Sequence, residues 1–413
     1  LNEKRNAALK RRISLHRADE LKAAASGFQE FKKTYPLATD SEIEEKVAAR
    51  KAQIMEYFGA TEEEWNDWHW QTGKRICDVK VLDHFLHLSD EEKKVINEIS
   101  GTYRWACTPY YLSLMDFEDR MYPINRMAIP AAEELDARGE EDPMDEEHTN
   151  PAPCITRRYP NRLIINVTSA CAMFCRHCQR RRLIGECDET RSREELQAAF
   201  DYIRENPEIR DVLVTGGDPL LVRDSLLEFI LSSLREIPHV EILRVGTRVP
   251  VTMPQRITPK LVGMLKKYHP LFVNIQFNHP RELTRESIEA CNRLADAGIP
   301  LGNQMVFLRG INDDKYIVEM LNEGLLRARV RPYYIFHPKQ VIGTEHFGIT
   351  VEEGLKVMEH LRGHTSGLAI PTYILNAPGG LGKIPLLPEY ILESDERHVR
   401  LRTWEGKEVN IVY

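Results

Sequence analysis

The stretch Leu163-Ile164-Ile165-Asn166-Val167-Thr168-Ser169-Ala170-Cys171-Ala172-Met173-Phe174-Cys175-Arg176-His177-Cys178 sets both the fold and the chemistry expected of this chain. It opens as a short, β-branched apolar run and passes directly into three cysteines spaced C-x3-C-x2-C. A buried strand that delivers a ligand-rich loop is the start of a β-α unit. Similar runs recur at 212–214, 242–245, 272–275, 305–307 and 333–336, separated by helical segments at 193–205, 226–236, 259–268, 285–297 and 316–326. Six such units make an α/β protein built on a partial (βα)6 parallel barrel, and right-handed crossovers place the loops after each strand on one face. A further strand-like run at 371–375 leads into a Gly-rich loop and a Pro-punctuated tail.

Upstream of the barrel the pattern changes. Residues 1 to about 100 carry long charged stretches with helical spacing, including Leu9, Ile13 and Leu21, and then the aromatic cluster Trp65, Trp68 and Trp70. This predicts a helical addition used for packing or oligomer contact. Between Glu133 and Glu147 the chain is crowded with acidic residues around Pro143, which reads as a solvated connection. The expected division is a mainly helical extension over 1–150 ending in that acidic linker, the barrel over 151–345, and a C-terminal segment over 346–413.

The 413 residues are 42% hydrophobic and 29% charged with a formal net charge of −7, as in a soluble globular protein. There is no basic excess to recommend nucleic acid as a partner, no apolar stretch long enough for a membrane, and no signal-like start, so a cytoplasmic location is expected. The first residue is Leu, so the natural chain is expected to begin further upstream. Five of the eight cysteines (Cys77, Cys107, Cys154, Cys187 and Cys291) are scattered and read as reduced thiols. Cys171, Cys175 and Cys178 are not scattered. A structural zinc site normally needs four protein ligands, and His177 is poorly placed to complete one; a zinc knuckle with a remote fourth ligand is the competing reading. A [4Fe–4S] cluster with one open iron suits three thiolates better.

A second signal, Thr215-Gly216-Gly217-Asp218-Pro219, follows the second strand on the same face. Adjacent glycines permit close backbone approach, and Asp218 can either meet an ammonium or cap the following helix. Together with the cysteine loop, this segment resembles the radical S-adenosylmethionine (SAM) superfamily over about residues 160–340. The resemblance implies that Cys171, Cys175 and Cys178 hold the cluster and that Gly216, Gly217 and Asp218 contact SAM, with Asp standing for the commoner Glu. Gln304 is counted among the cofactor-binding residues.

Two further segments point to a second cofactor. Arg157-Arg158-Tyr159-Pro160-Asn161-Arg162 sets arginines around an aromatic ring, as a planar phosphorylated group requires. Asn376-Ala377-Pro378-Gly379-Gly380-Leu381-Gly382-Lys383 presents a lysine able to form a Schiff base; it is not a Walker loop, since Ile384 stands where Ser or Thr is needed. With Cys-Arg-His-Cys-x-Arg-Arg-Arg at 175–182 and His364-Thr365-Ser366-Gly367, these resemble the 2,3-aminomutase family from about residue 100 to 413. The resemblance implies pyridoxal phosphate (PLP) on Lys383, its phosphate on Arg158 and Arg162, its ring on Tyr159, and the substrate α-carboxylate on Arg180. It also implies an isomerase that moves an amino group from C2 to C3, an external electron donor, and a homo-oligomer, dimer or tetramer.

Members acting on lysine hold its ε-ammonium with two aspartates, and here those positions are Lys339 and Asn376. An ammonium would be repelled, whereas a carboxylate gains an ion pair and an amide hydrogen bond. The expected reaction is therefore glutamate to β-glutamate (3-aminoglutarate); aspartate falls one methylene short. The alternatives are another amino-acid substrate such as lysine, with Lys339 a solvated surface residue, or a non-catalytic zinc-binding protein. No zinc is expected, since Asp314 replaces one family cysteine and none follows Cys291.

Overall fold

The computed structural model describes residues 2–413. Its centre is a single sheet whose strands hydrogen-bond in chain order: β1 (Ile155–Tyr159), β2 (Arg162–Asn166), β3 (Asp211–Thr215), β4 (Ile242–Thr247), β5 (Leu271–Ile275), β6 (Leu301–Val306), β7 (Arg331–Phe336), β8 (Thr372–Ala377) and β9 (Gly382–Leu386). Strands β2 to β8 are all parallel, in a register that runs Leu163↔Val212, Val212↔Leu243, Leu243↔Leu271 and onward to Ile335↔Tyr373. The strand-like run at 371–375 thus joins the barrel as β8. β1 and β9 are antiparallel edges, and they meet: the Lys383 backbone N–H donates to the Tyr159 hydroxyl at 2.9 Å.

Side-chain alternation divides each strand between two environments. Leu163, Ile165, Val212, Val214, Leu243 and Val245 are buried, while the alternate residues Ile164, Leu213, Thr215, Arg244 and Gly246 line a central cavity. The crossover helices lie close to their expected positions. Arg193–Glu205 starts at a capping box in which Ser192 Oγ accepts from Glu195 N and Glu195 Oε2 accepts from Ser192 N. Asp314 caps Lys315–Arg327 by accepting from the amides of Tyr316 and Ile317.

The N-terminal residues are helical, as expected, and dock on the barrel through Arg256 stacked over Trp68 and Thr108 hydrogen-bonded to Thr252 O. The acidic segment is a correction. Glu134 is buried and accepts from Arg176 at 2.6 Å and Arg181 at 2.5 Å, and the buried Glu146 meets Arg158, Arg180 and Arg182. The run is a packed strap over the barrel mouth, because its carboxylates neutralise arginines that the cysteine loop and β1 bring inside. The tail forms a separate antiparallel sheet of β10 (Ile391–Ser394), β11 (His398–Arg402) and β12 (Glu408–Val412).

Candidate active site

The cavity at the C-terminal ends of the parallel strands has a volume of about 380 Å³. The candidate cofactor, substrate and cluster residues all line it: Cys171, Cys175 and Cys178; Gly216, Gly217 and Asp218; Gln304; Arg158, Tyr159 and Arg162; Arg180, Lys339 and Asn376; and Lys383. Convergence of segments more than two hundred residues apart follows from the topology, since each is carried on or just after a strand of one barrel.

The cysteine loop follows β2 and is held at both ends. Phe174 N donates to Ala106 O and Arg176 N to Met127 O, while the Arg176 and Arg181 side chains close on Glu134. Burial pushes that carboxyl up, but the two guanidiniums outweigh it and hold it below its ordinary range. Burial raises the thiols of Cys171 and Cys178, and at Cys178 it outweighs the opposing pull of Arg180 and Arg181. Such thiols await a metal to deprotonate them. Among the described residues no three His, Cys, Asp or Glu side chains gather closely enough for a single metal ion. Arg180 N points at Cys178 Sγ (3.4 Å) and Arg248 Nη1 at Cys175 Sγ (2.7 Å), donors of the kind that tune cluster sulfurs.

The glycine pair allows the close backbone approach expected of it, here against the cysteine loop. Gly216 has φ of +139°, and a Cβ there would fall on Thr168 O; at Gly217 it would fall on Ala170 O. The bare backbone lets the β3 loop press against the cysteine loop, with Gly217 N donating to Thr168 O and Asp218 N to Ala170 O. Asp218 is buried, and its carboxylate accepts from Thr247 Oγ1, Arg248 N and Leu220 N. Burial pushes it up to about 6 against those hydrogen bonds. It caps the turn Pro219–Leu221, the second of the two roles its position allowed.

Where β1 and β9 meet, Arg162 lies 3.8 Å above the Tyr159 ring and the Lys383 ammonium 5.4 Å from the same ring. Arg158 is 3.3 Å from Glu146, and its buried Nε has no hydrogen-bond partner. A set of two arginines, one carrying an orphaned donor, around an aromatic ring suits a phosphorylated planar ligand. Arg157 does not belong to it, being turned outward to Glu208, Tyr202 and Asn206. Lys383 is exposed at the cavity mouth, yet partial burial followed by Arg162, Arg244 and Arg158 pulls its ammonium down to about 8.

At the other wall, Lys339 donates to Gln179 Oε1 and lies 5.6 Å from the Phe336 ring; it makes no ion pair among the described residues. Burial, with Arg180 next, pulls it down to about 7. Asn376, also in the lining, has a buried Nδ2 with no partner. Arg180 is engaged by Glu146, which accepts from Nε (3.1 Å) and Nη2 (2.8 Å) and leaves Nη1 unbonded. Burial pushes the Glu146 carboxyl up, but Arg180, Arg158 and Arg182 together hold it at about 2.

The chain matches the Radical SAM superfamily over residues 165–322 and the Lysine-2,3-aminomutase family over residues 358–411. It is 55% identical to the glutamate 2,3-aminomutase of Clostridioides difficile (strain 630) over 97% of this chain and 94% of that one. The protein is a radical SAM 2,3-aminomutase. The L-lysine 2,3-aminomutases of Clostridium subterminale and Bacillus subtilis (strain 168) are 50% and 46% identical, covering 83% and 84% of this aminomutase and 83% and 74% of their own lengths. Aminomutases of this family are isomerases of amino acids that use a [4Fe–4S] cluster, SAM and PLP. No helix among the described residues is long and apolar enough to cross a membrane.

The cavity also holds residues that sequence reasoning missed. Gln179 is the unassigned x of the Cys-x-x-Cys-x-Arg-Arg-Arg run, and Glu146 was hidden in an apparent linker. Arg248 follows β4 directly; a polar residue at the C-terminal end of a barrel strand is a readable signal. Its buried guanidinium is held above its ordinary value by Cys175 and Glu282, which together outweigh desolvation.

Proposed function

We propose that this aminomutase converts L-glutamate into β-glutamate by moving the α-amino group to C3. The observation that carries the proposal is Lys339, a cation inside the cavity with no carboxylate partner, beside Asn376 with an unpartnered amide nitrogen. A side-chain carboxylate supplies what both lack. An ammonium in the same place would add a third positive charge to a wall that already holds Lys339 and Arg180.

Cys171, Cys175 and Cys178 hold the cluster, Gly216, Gly217, Asp218 and Gln304 shape the SAM site beside it, and Arg158, Tyr159, Arg162 and Lys383 hold PLP. Bound there, the cluster with SAM would supply a hydrogen-abstracting radical, and PLP would supply an aldehyde for the substrate amine and a ring able to delocalise an unpaired electron. The chain's own work is binding, orientation and proton control. Nη1 of Arg180 takes the α-carboxylate, with Glu146 fixing the guanidinium plane. Lys339 and Asn376 take the γ-carboxylate, so the substrate is stretched between two anchors and C3 is offered from a fixed position. The Lys383 amine, pulled down to about 8, is partly unprotonated near neutral pH and able to act as a nucleophile.

The glutamate 2,3-aminomutase relative, 55% identical over 97% of this chain, supports this substrate. The reading includes an external one-electron donor, a cytoplasmic location and a homo-oligomer; exposed Leu387, Ile391 and Val412 near the C-terminal sheet support subunit contact. The deciding experiment incubates anaerobically reconstituted enzyme with SAM, PLP and dithionite against glutamate, aspartate and lysine separately. β-Glutamate as the dominant product is expected; β-lysine as the dominant product would overturn the substrate assignment and leave the enzyme class standing.

A further inference from the structure

A second cavity, of about 220 Å³, lies where the N-terminal helices meet the turn after β5, and it shares no lining residue with the active site. Its charged groups do not balance. Lys46 pairs with Glu42 at 2.7 Å and Arg50 with Asp116 at 3.6 Å, which leaves Arg281 without a counter-ion. Arg281 is only 8% exposed, its buried Nε and Nη1 have no hydrogen-bond partner, and it makes no ion pair with any described residue. Its guanidinium stacks 4.9 Å from the Tyr35 ring, but the Tyr35 hydroxyl is engaged with His279 Nε2 at 3.1 Å. A buried guanidinium normally recovers its desolvation cost through a paired, hydrogen-bonded anion. Here the chain provides none, and the cavity beside it provides the space.

We propose that this cavity binds a small organic monocarboxylate, with its carboxylate on Arg281 and its alkyl part against Ile43, Val47 and Leu114. The surplus of one positive charge fits one negative charge, and the apolar wall fits a hydrocarbon portion better than the oxygens of a phosphate. Arg281 is next in sequence to a buried ion pair that reaches the cysteine loop. The next residue, Glu282, accepts from Arg248 Nη2 at 2.6 Å, and Arg248 reaches Cys175 Sγ at 2.7 Å.

The test titrates butyrate into full-length holoenzyme loaded with cluster and PLP and saturated with glutamate, with SAM omitted to prevent turnover, by isothermal calorimetry. One saturable site per chain is expected, with inorganic phosphate giving none. Arg281→Met should weaken binding by roughly tenfold or more, as expected for loss of a hydrogen bond to a charged group. The same variant should melt no lower than wild type without butyrate, because it removes an unpaired buried charge, an outcome that an ordinary structural arginine would not give. Val47→Phe, which fills the cavity and leaves its charges alone, should abolish binding and decides the matter alone if Arg281→Met does not fold. Absence of saturation in wild type, saturation by phosphate alone, or undiminished butyrate affinity in either folded variant would overturn the proposal.

Discussion

Replacing Lys339 by methionine keeps most of the side chain's length and removes its charge, which isolates the contact proposed to select glutamate. One hydrogen bond to a charged partner contributes about 1.5–3 kcal/mol, so kcat/KM for glutamate should fall about 10–150-fold. Lys339→Asp should fall further, because it sets a like charge against the substrate carboxylate. The pH profile separates specificity from folding damage. In the free enzyme Lys339 is pulled from 10.5 down to about 7, and only its protonated form attracts a carboxylate. For wild type, kcat/KM for glutamate should therefore decline above about pH 7. Once glutamate is bound its carboxylate favours the ammonium, so the corresponding limb in kcat should move to higher pH. Lys339→Arg, which stays charged, should retain kcat/KM through the range where wild type declines. The assay is initial-rate kinetics from pH 6 to 9, with cluster and PLP content measured in each preparation. If Lys339→Met stays within a few-fold of wild type, or if Lys339→Arg shows the same decline above pH 7, the reasoning fails.

Three further outcomes follow from the site. PLP loading of apoenzyme should accelerate as pH rises through about 8, where the Lys383 amine loses its proton, and borohydride reduction with peptide mapping should place the label on Lys383; a label on Lys339 would exchange the two lysines' roles. Glu134→Ala leaves the buried Arg176 and Arg181 without their shared carboxylate and should destabilise the fold by about 3–5 kcal/mol, read as a lowered urea midpoint; an unchanged midpoint would mean water or backbone replaces it. Gly217→Ala puts a methyl group onto Ala170 O and should lower iron content and SAM cleavage together, whereas Gly263→Ala, whose Cβ meets nothing within 4 Å, should leave both unchanged.

The barrel and most of its site were legible because both are written in local patterns. Alternating β-branched runs mark β2 to β7, and three cysteines or two glycines after a strand keep their meaning without knowledge of what packs nearby. Charge neutralisation is different. Glu134 and Glu146 lie in a run whose composition is that of a solvated linker, and nothing within that run says that its carboxylates are buried. The information sat elsewhere, in an unbalanced count of cations: Arg176, Arg180, Arg181 and Arg182 in one short loop, with Arg158 on the neighbouring edge strand. A loop carrying three cluster cysteines must lie deep at a barrel mouth, and guanidiniums taken there need anions. The nearest upstream supply is the acidic run. The same arithmetic separates Arg180 from Lys339: the chain gives Arg180 a carboxylate in Glu146, but gives Lys339 only the neutral Gln179, so the charge still missing at Lys339 is the one the substrate must bring.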